Sequence, residues 1–161
     1  MKKQLTLITM QIRKTRKTDL PAIIEMLAND TLGAKRETFD NPLPECYYDA
    51  WEKIQKDPNQ KLMTIEHNKQ VIGAFQMTFI PSLTYQGGTR AQIEGVRIRE
   101  DYTGRGFGQK VFEWAIEESK RIGAHVMQLT TDKQRPDAIR FYEKLGFVAS
   151  HEGMKLHFIL K

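Results

Sequence analysis

The segment Asp101-Tyr102-Thr103-Gly104-Arg105-Gly106-Phe107-Gly108-Gln109 sets three alternating glycines between a stretch with strand-like alternation and a helical stripe. Glycines lack Cβ atoms, so a ligand can approach the backbone closely and successive N–H groups can point at one anion. The positive end of the following helix dipole adds to that attraction. Such a turn suits a phosphate. Two common phosphate motifs fail on spacing. A Walker loop needs Gly-Lys after four intervening residues, and five positions on from Gly104 stands Gln109. The dinucleotide fingerprint, started at Gly104 and Gly106, would require its third glycine where Gln109 stands. The turn alone leaves open a plainer role, that of a bend needing positive φ. A second segment bears on the choice: Arg135-Pro136-Asp137-Ala138-Ile139-Arg140-Phe141-Tyr142-Glu143-Lys144-Leu145-Gly146-Phe147 offers a tyrosine hydroxyl within an aromatic helical pattern.

This second segment resembles the A-x-x-F-Y-x-x-x-G-F signature of the GNAT acetyltransferases. The glycine turn resembles that family's [QR]-x-x-G-x-[GA] pyrophosphate loop, aligned on Thr103, Gly106 and Gly108. The two stand in the family's order with a strand between them, and the resemblance covers residues 93–147. It implies an α/β (α+β) fold with a mixed, mostly antiparallel sheet and helices on both faces. It also implies acetyl-CoA as cosubstrate. Pyrophosphate would sit on the amides of Gly104, Arg105, Gly106, Phe107 and Gly108, with Gln109 beside them as a further cofactor-binding residue. Pantetheine would lie along Val96, Arg97 and Ile98, in a gap where residues 94–99 splay from residues 126–130. Two positions depart from the family pattern. Thr103 replaces the usual Gln or Arg, with Arg105 as the expected source of charge. Arg135 stands where many members have Asn, and is read as a cofactor-binding residue.

The chemistry so implied is transfer of an acetyl group to a primary amine by direct attack in a ternary complex. A lysine-type amine has a pKa near 10.4 and must lose a proton before attack. Glu94, on the strand flanking the thioester, is the candidate base; its structural alternatives are a surface glutamate on a strand whose other face is buried, or an ion pair, for instance with Arg90 or Arg97. Tyr142, which the resemblance sets beside the sulfur, is the candidate acid. Its alternative is an aromatic core residue whose hydroxyl finds a backbone partner. A non-catalytic acyl-CoA-binding module of the same fold is the rival reading. The acceptor is expected to be a small-molecule amine, with a protein amine and a homodimer left open.

The elements that must position these residues follow from periodicity. Residues 10–14 alternate as a strand, and Leu20, Ile23, Ile24 and Leu27 form a helical stripe that Thr18 or Asp19 can cap. Residues 29–41 read as loop and 44–56 as a second helix, closed by Asp57-Pro58. Strands are expected at 62–66 and 71–79 about a turn at 67–70, then at 90–99, where the inward positions are Ile93 or Glu94, Val96 and Ile98. Phe107, Val111, Trp114, Ala115, Glu118 and Ile122 share one helix face, which Gly123 ends. Residues 126–130 read as a strand, Pro136 opens a helix that ends at Gly146, and strands are expected at Phe147-Val148 and along Met154, Leu156, Phe158 and Leu160.

Composition narrows the classes. The chain has 161 residues, 40% hydrophobic and 28% charged, and so reads as one globular domain, with residues 1–9 as an extension before it. The net charge of +5 suits an anionic cosubstrate. No recognition-helix or stacking motif points to nucleic acid. The basic cluster Arg13, Lys14, Arg16 and Lys17 reads as a solvated strand end. A single cysteine, Cys46, excludes an internal disulfide and fits a cytoplasmic setting. No apolar run has the roughly 20 residues that span a bilayer. His67, His125, His151 and His157 lack metal-site spacing and read as surface or structural, and no metal is expected. Trp51 and Tyr47, one turn apart, read as a core stripe rather than an acceptor pocket.

Overall fold

A computed structural model describes residues 9–158; the extension read for residues 1–9, apart from Thr9, lies outside them. Five strands form one sheet in the order β1-β2-β3-β4-β5: β1 (Met10–Lys14), β2 (Gln60–His67), β3 (Gln70–Pro81), β4 (Thr89–Ile98) and β5 (Ala124–Gln128). The first three pairings are antiparallel, and β4 with β5 is parallel. Between β2 and β3, Asn68 and Lys69 take φ of 49° and 63°. Both are left-handed, as a two-residue hairpin turn requires.

The helices are α1 (Leu20–Ala28), α2 (Glu45–Lys56), the single turn α3 (Thr84–Gly87), α4 (Phe107–Ile122) and α5 (Pro136–Lys144). Tyr85 and Gln86 inside α3 are left-handed, so that segment is a tight bend rather than a helix. The main core joins the sheet to α4. Ile65, Ile72, Phe75, Met77, Ala91 and Ile93 meet Phe107, Val111, Phe112 and Ala115, all at most 2% exposed. Full burial of a side chain of the larger kind stabilises by about 1.5–3 kcal/mol. A second cluster joins α1 and α2 through Leu20, Ile24 and Leu43, with Tyr47 and Trp51 packed on it. That bears out the stripe reading. The Tyr47 hydroxyl donates to Glu37 and accepts from the Thr38 amide, and the Trp51 indole donates to the Thr15 carbonyl.

Asp19 ties α1 to the sheet. Its carboxylate accepts two bonds from Arg13, at 2.7 and 3.0 Å, one from the Arg16 amide at 2.7 Å and one from the Thr64 hydroxyl at 3.2 Å. It stands at the N-cap position of α1 yet serves residues before and beside the helix rather than the helix amides. Arg13 also donates to Glu66 at 2.9 Å and its side chain is only 13% exposed, so the solvated-cluster reading fails at this residue. A guanidinium flanked by two carboxylates is drawn under the helix, whereas Lys14, Arg16 and Lys17 remain exposed. Burial alone would raise the Asp19 carboxyl; Arg13, the Arg16 amide and Thr64 outweigh it and hold it below its usual range.

The folded carboxyl therefore binds its proton more weakly than the unfolded one does. Its stabilising contribution is complete above the ordinary carboxylate range and is lost as pH falls below it. Asp19→Asn is expected to cost about 3 kcal/mol at neutral pH, because it leaves Arg13 without its buried partner. Urea denaturation checks this, and the gap between wild type and variant should narrow from about pH 5 to pH 3.

The end of the chain differs from expectation. No strand forms at Phe147-Val148 or along residues 154–158 among the described residues, and Leu160 lies outside them. Val148, Met154, Leu156 and Phe158 are 80%, 95%, 80% and 80% exposed. The alternation is present in the sequence, but it makes no ladder with a neighbour, and β5 closes the described sheet. Among the described residues no helix is long and apolar enough to cross a membrane.

Candidate active site

Strands β4 and β5 pair only from Thr89 with Ala124 to Gln92 with Gln128. β5 ends there, while β4 continues to Ile98 with β3 alone beside it. Pairing therefore stops where the gap is expected, and on that side the backbone of β4 from Ile93 onward has no strand beside it. A bulge shapes this lip. Gln76 pairs with Glu94 and Ala74 with Arg97, so Gly95 and Val96 together oppose Phe75. Gly95 takes φ of 62°, the left-handed conformation of a glycine bulge. Past it, Val96 and Ile98 pack on the main core. Arg97 shares a cross-strand row with Ala74 and Thr64, on the face against which α1 starts.

The glycine turn follows a short helical turn, Glu100–Tyr102. Gly104 and Gly106 take φ of 74° and 83°, and no atom lies within 4 Å of the position where either would carry a Cβ. The turn thus needs positive φ and faces open space as well. The first helical bond of α4 runs from the Lys110 amide to the Gly106 carbonyl at 3.3 Å. The amides of Phe107, Gly108 and Gln109 precede it and have no acceptor within the helix. A Cβ on Gly108 would stand 3.8 Å from the Phe141 ring, where α4 meets α5. Arg105 stacks over Tyr102 at 4.7 Å, which keeps its charge beside the turn. The Thr103 hydroxyl makes a long contact, 3.4 Å, with the Arg99 carbonyl.

Helix α5 docks through aromatic rings. Tyr142 lies 5.3 Å from Phe112 and 6.1 Å from Phe147, centre to centre, and Phe141 lies 5.6 Å from Phe112. The Tyr142 hydroxyl has no hydrogen-bond partner among the described residues. Burial pushes this hydroxyl above its ordinary pKa, against the opposing pull of Arg135 and Arg97. It therefore keeps its proton at neutral pH. Glu94 is exposed and accepts from Gln92 Nε2 at 3.0 Å, and Gln92 in turn accepts from Gln128 of β5 at 2.9 Å. Glu94 makes no ion pair among the described residues.

The expected pantetheine and cofactor residues divide. Val96 and Ile98 present backbone to the gap. The side chains of Arg97 and Arg135 instead converge on Asp30, at 2.8 and 2.7 Å. Asp30 was not singled out from sequence; it sits in a stretch read as loop, with nothing local to mark a carboxylate whose partners lie on β4 and at the start of α5. Gln92 was also missed, although its place two residues before Glu94 on an alternating strand puts both on one face. His67 is structural. Its Nδ1 lies 3.0 Å from the Thr9 carbonyl, and its ring packs edge-on against Tyr102 and Phe107. Cys46 is exposed on α2.

The splayed strand pair, the glycine turn at a helix start and the helix carrying Tyr142 together define a class of fold that compares directly with known proteins. Residues 27–147 match the model of the acetyltransferase (GNAT) family, and the chain belongs to that family. It is 26% identical over 141 residues to the L-amino acid N-acyltransferase MnaT of Escherichia coli (strain K12), covering 88% of this chain and 81% of that one. It is 26% identical over 107 residues to the aminoalkylphosphonate N-acetyltransferase of Salmonella typhimurium, covering 66% and 69%. Among solved structures, a transcriptional regulator from Bacillus halodurans C-125 superposes with a TM-score of 0.90 at 51% identity, covering 92% of this chain and 99% of that one. The family's cosubstrate is acetyl-CoA, and the chain has parts that fit it: open, left-handed glycines at a helix start for the pyrophosphate, and an unpaired strand lip for the pantetheine.

Proposed function

We propose that the protein transfers an acetyl group from acetyl-CoA to the primary amine of a small molecule, by direct attack in a ternary complex. The observation that carries this reading is the Tyr142 hydroxyl, protonated and unpartnered among the described residues, on the helix that packs against the phosphate-binding turn. Acetyl-CoA would supply the activated acyl group. The amides from Gly104 to Gln109 would hold its pyrophosphate with Arg105 beside them, and the backbone at Val96 and Ile98 its pantetheine. Glu94 takes the acceptor's proton, directly or through water, and Tyr142 delivers one to the departing sulfur. Free N–H groups on the β4 lip are suited to stabilising negative charge on the acyl oxygen. The names of the L-amino acid and aminoalkylphosphonate relatives support a small-molecule acceptor. The single exposed Cys46 supports a cytoplasmic setting.

A second reading draws on the relative described as a transcriptional regulator: a domain that binds an acyl-CoA and transfers nothing. The unpartnered hydroxyl favours transfer, because binding alone has no use for an acid at the sulfur. Calorimetric titration with acetyl-CoA, with ATP and NAD as controls, followed by a screen of amines for CoA release, decides between them. Selective binding with CoA release establishes the transferase. Binding without release under any amine establishes the second reading, and failure to bind acetyl-CoA or any longer acyl-CoA removes both.

The base assignment has its own test. Below the amine pKa the free-amine fraction falls about tenfold per pH unit, so a variant lacking the base must follow that fraction. Glu94→Gln is expected to lower kcat/KM by about 10- to 100-fold, with the deficit growing toward low pH. A pH–rate profile identical in shape to that of the wild type would remove Glu94 from the mechanism.

A further inference from the structure

The cluster around Asp30 carries more positive charge than its internal carboxylate neutralises. Oδ2 of Asp30 forms an ion pair with Arg97 at 2.8 Å and accepts from Arg135 at 2.7 Å and from the amides of Leu32 and Gly33 at 3.2 Å each. Oδ1 accepts from Arg135 at 3.0 Å. Two guanidiniums thus share one carboxylate. Arg36 adds a third positive field at Arg97, and its own contact with Glu37 is a loose 3.8 Å. The donor count is also in surplus. Nε of Arg97 is buried and unpartnered, and Arg135 commits only Nη2 to Asp30 among the described residues. A guanidinium has five N–H donors.

On the Arg135 side the cluster faces usable space. Asp30, Thr31, Leu32, Gln134 and Arg135 line a groove of about 280 Å³. Both arginines pull electrostatically on the Tyr142 hydroxyl, so their charge is felt at the proposed acid. Arg97 also shares a sheet face with Glu94, because their partners Ala74 and Gln76 stand two apart on β3. An amine at Glu94 would leave the rest of its molecule pointing toward the arginines.

Resting on the transferase reading above, we infer that the acceptor bears an acidic group, a carboxylate or a phosphonate or phosphate, a few bonds from its amine, and that Arg97 and Arg135 hold this group while Glu94 faces the amine. Planar guanidiniums suit such oxyanions because they present paired donors. Asp30 holds the two forks in place and keeps them from repelling each other while the groove is empty.

The test uses binding as well as turnover. Protein saturated with coenzyme A is titrated calorimetrically with L-methionine against methioninol, and with 2-aminoethylphosphonate against ethanolamine. The acid-bearing member of each pair is expected to bind at least about tenfold tighter, as charge-assisted bonds allow. The ratio between L-methionine and the phosphonate shows which acid the cluster prefers. Arg135→Met, at a side chain one-third exposed and so tolerant of change, should erase the preference while leaving coenzyme A affinity within about twofold. Arg97→Met should do the same, with thermal denaturation reporting its fold. Asp30→Asn should tighten acid binding, because it frees both forks while an amide oxygen still accepts from Leu32 and Gly33.

Equal binding of acid and alcohol overturns the inference. So does a loss of coenzyme A affinity in Arg135→Met, which would give these cations to the coenzyme's phosphates. Arginine-dependent acid binding with no acetyl transfer would sink the transferase reading and keep this one. Transfer to acid-free amines alone would do the reverse.

Discussion

Tyr142→Phe lowers kcat by about 100-fold or more while the affinity for acetyl-CoA changes by no more than roughly twofold. The expectation follows from what the side chain touches. The ring is fixed among Phe112, Phe141 and Phe147, with centroids 5.3, 5.6 and 6.1 Å away, and phenylalanine preserves those contacts. The fold should therefore survive with its melting temperature nearly unchanged. Only the hydroxyl is lost, and it has no hydrogen-bond partner among the described residues whose loss could account for a deficit. A drop in kcat without a drop in donor binding is the mark of a group that acts in the transition state. Single-turnover measurement of CoA release with the most active amine would read it directly. Full turnover in the variant would return Tyr142 to the aromatic cluster and leave the departing sulfur without a protein acid.

Gly106→Val should raise the dissociation constant for acetyl-CoA by about 100-fold or more, through two effects that a control can separate. Gly106 takes φ of 83°, where a residue with a Cβ pays about 1–2 kcal/mol and a β-branched one more. The added side chain would also project into the open space from which a pyrophosphate would meet the amides. Gly123, at the other end of the same helix, has nearly the same backbone conformation, with φ of 84° and nothing within 4 Å of its missing Cβ. Gly123→Ala should therefore reproduce much of the strain, seen as a lower melting temperature, and leave donor binding intact. If both variants lost acetyl-CoA equally, the effect would be one of stability and the turn would lose its role.

Much of this fold could be read from local pattern. The bounds of β1 and α2, the two-residue hairpin after His67 and the glycine that closes α4 each rest on residues within one turn or one strand of one another. Periodicity and turn chemistry suffice there. The alternation on β4 is the informative exception. Sequence pattern left Ile93 and Glu94 as rival inward positions and resumed at Val96 and Ile98, and the bulge at Gly95 is the physical reason for that break. Residues 147–158 show the opposite failure, since alternation states which face a strand would offer but not whether a neighbour pairs with it. Arg13 and the Asp30 cluster were illegible for a third reason. Their partners are separated by 53 residues for Arg13 with Glu66 and 105 for Arg135 with Asp30, so no local window contains both charges. The site's backbone parts were thus legible from motifs, and its charge arrangement was not.

The bulge at Gly95 makes residue number, as distinct from residue type, a property of the site. Ala91 and Ile93 face the main core before it, and Val96 and Ile98 do so after it, so the inward positions change from odd to even across one glycine. Deleting that glycine would remove the extra residue and leave one unbroken alternation, with Val96 opposite Phe75 and Arg97 still opposite Ala74. A deletion elsewhere in β4, with the bulge kept, is what would act as a frameshift acts on a reading frame: every side chain beyond it would keep its identity and exchange inside for outside. Substitutions in this strand can be absorbed one at a time, whereas the register absorbs a single deletion only at the bulge. Length variation in descendants of this chain should accumulate in the bend at α3 and spare the ten residues of β4.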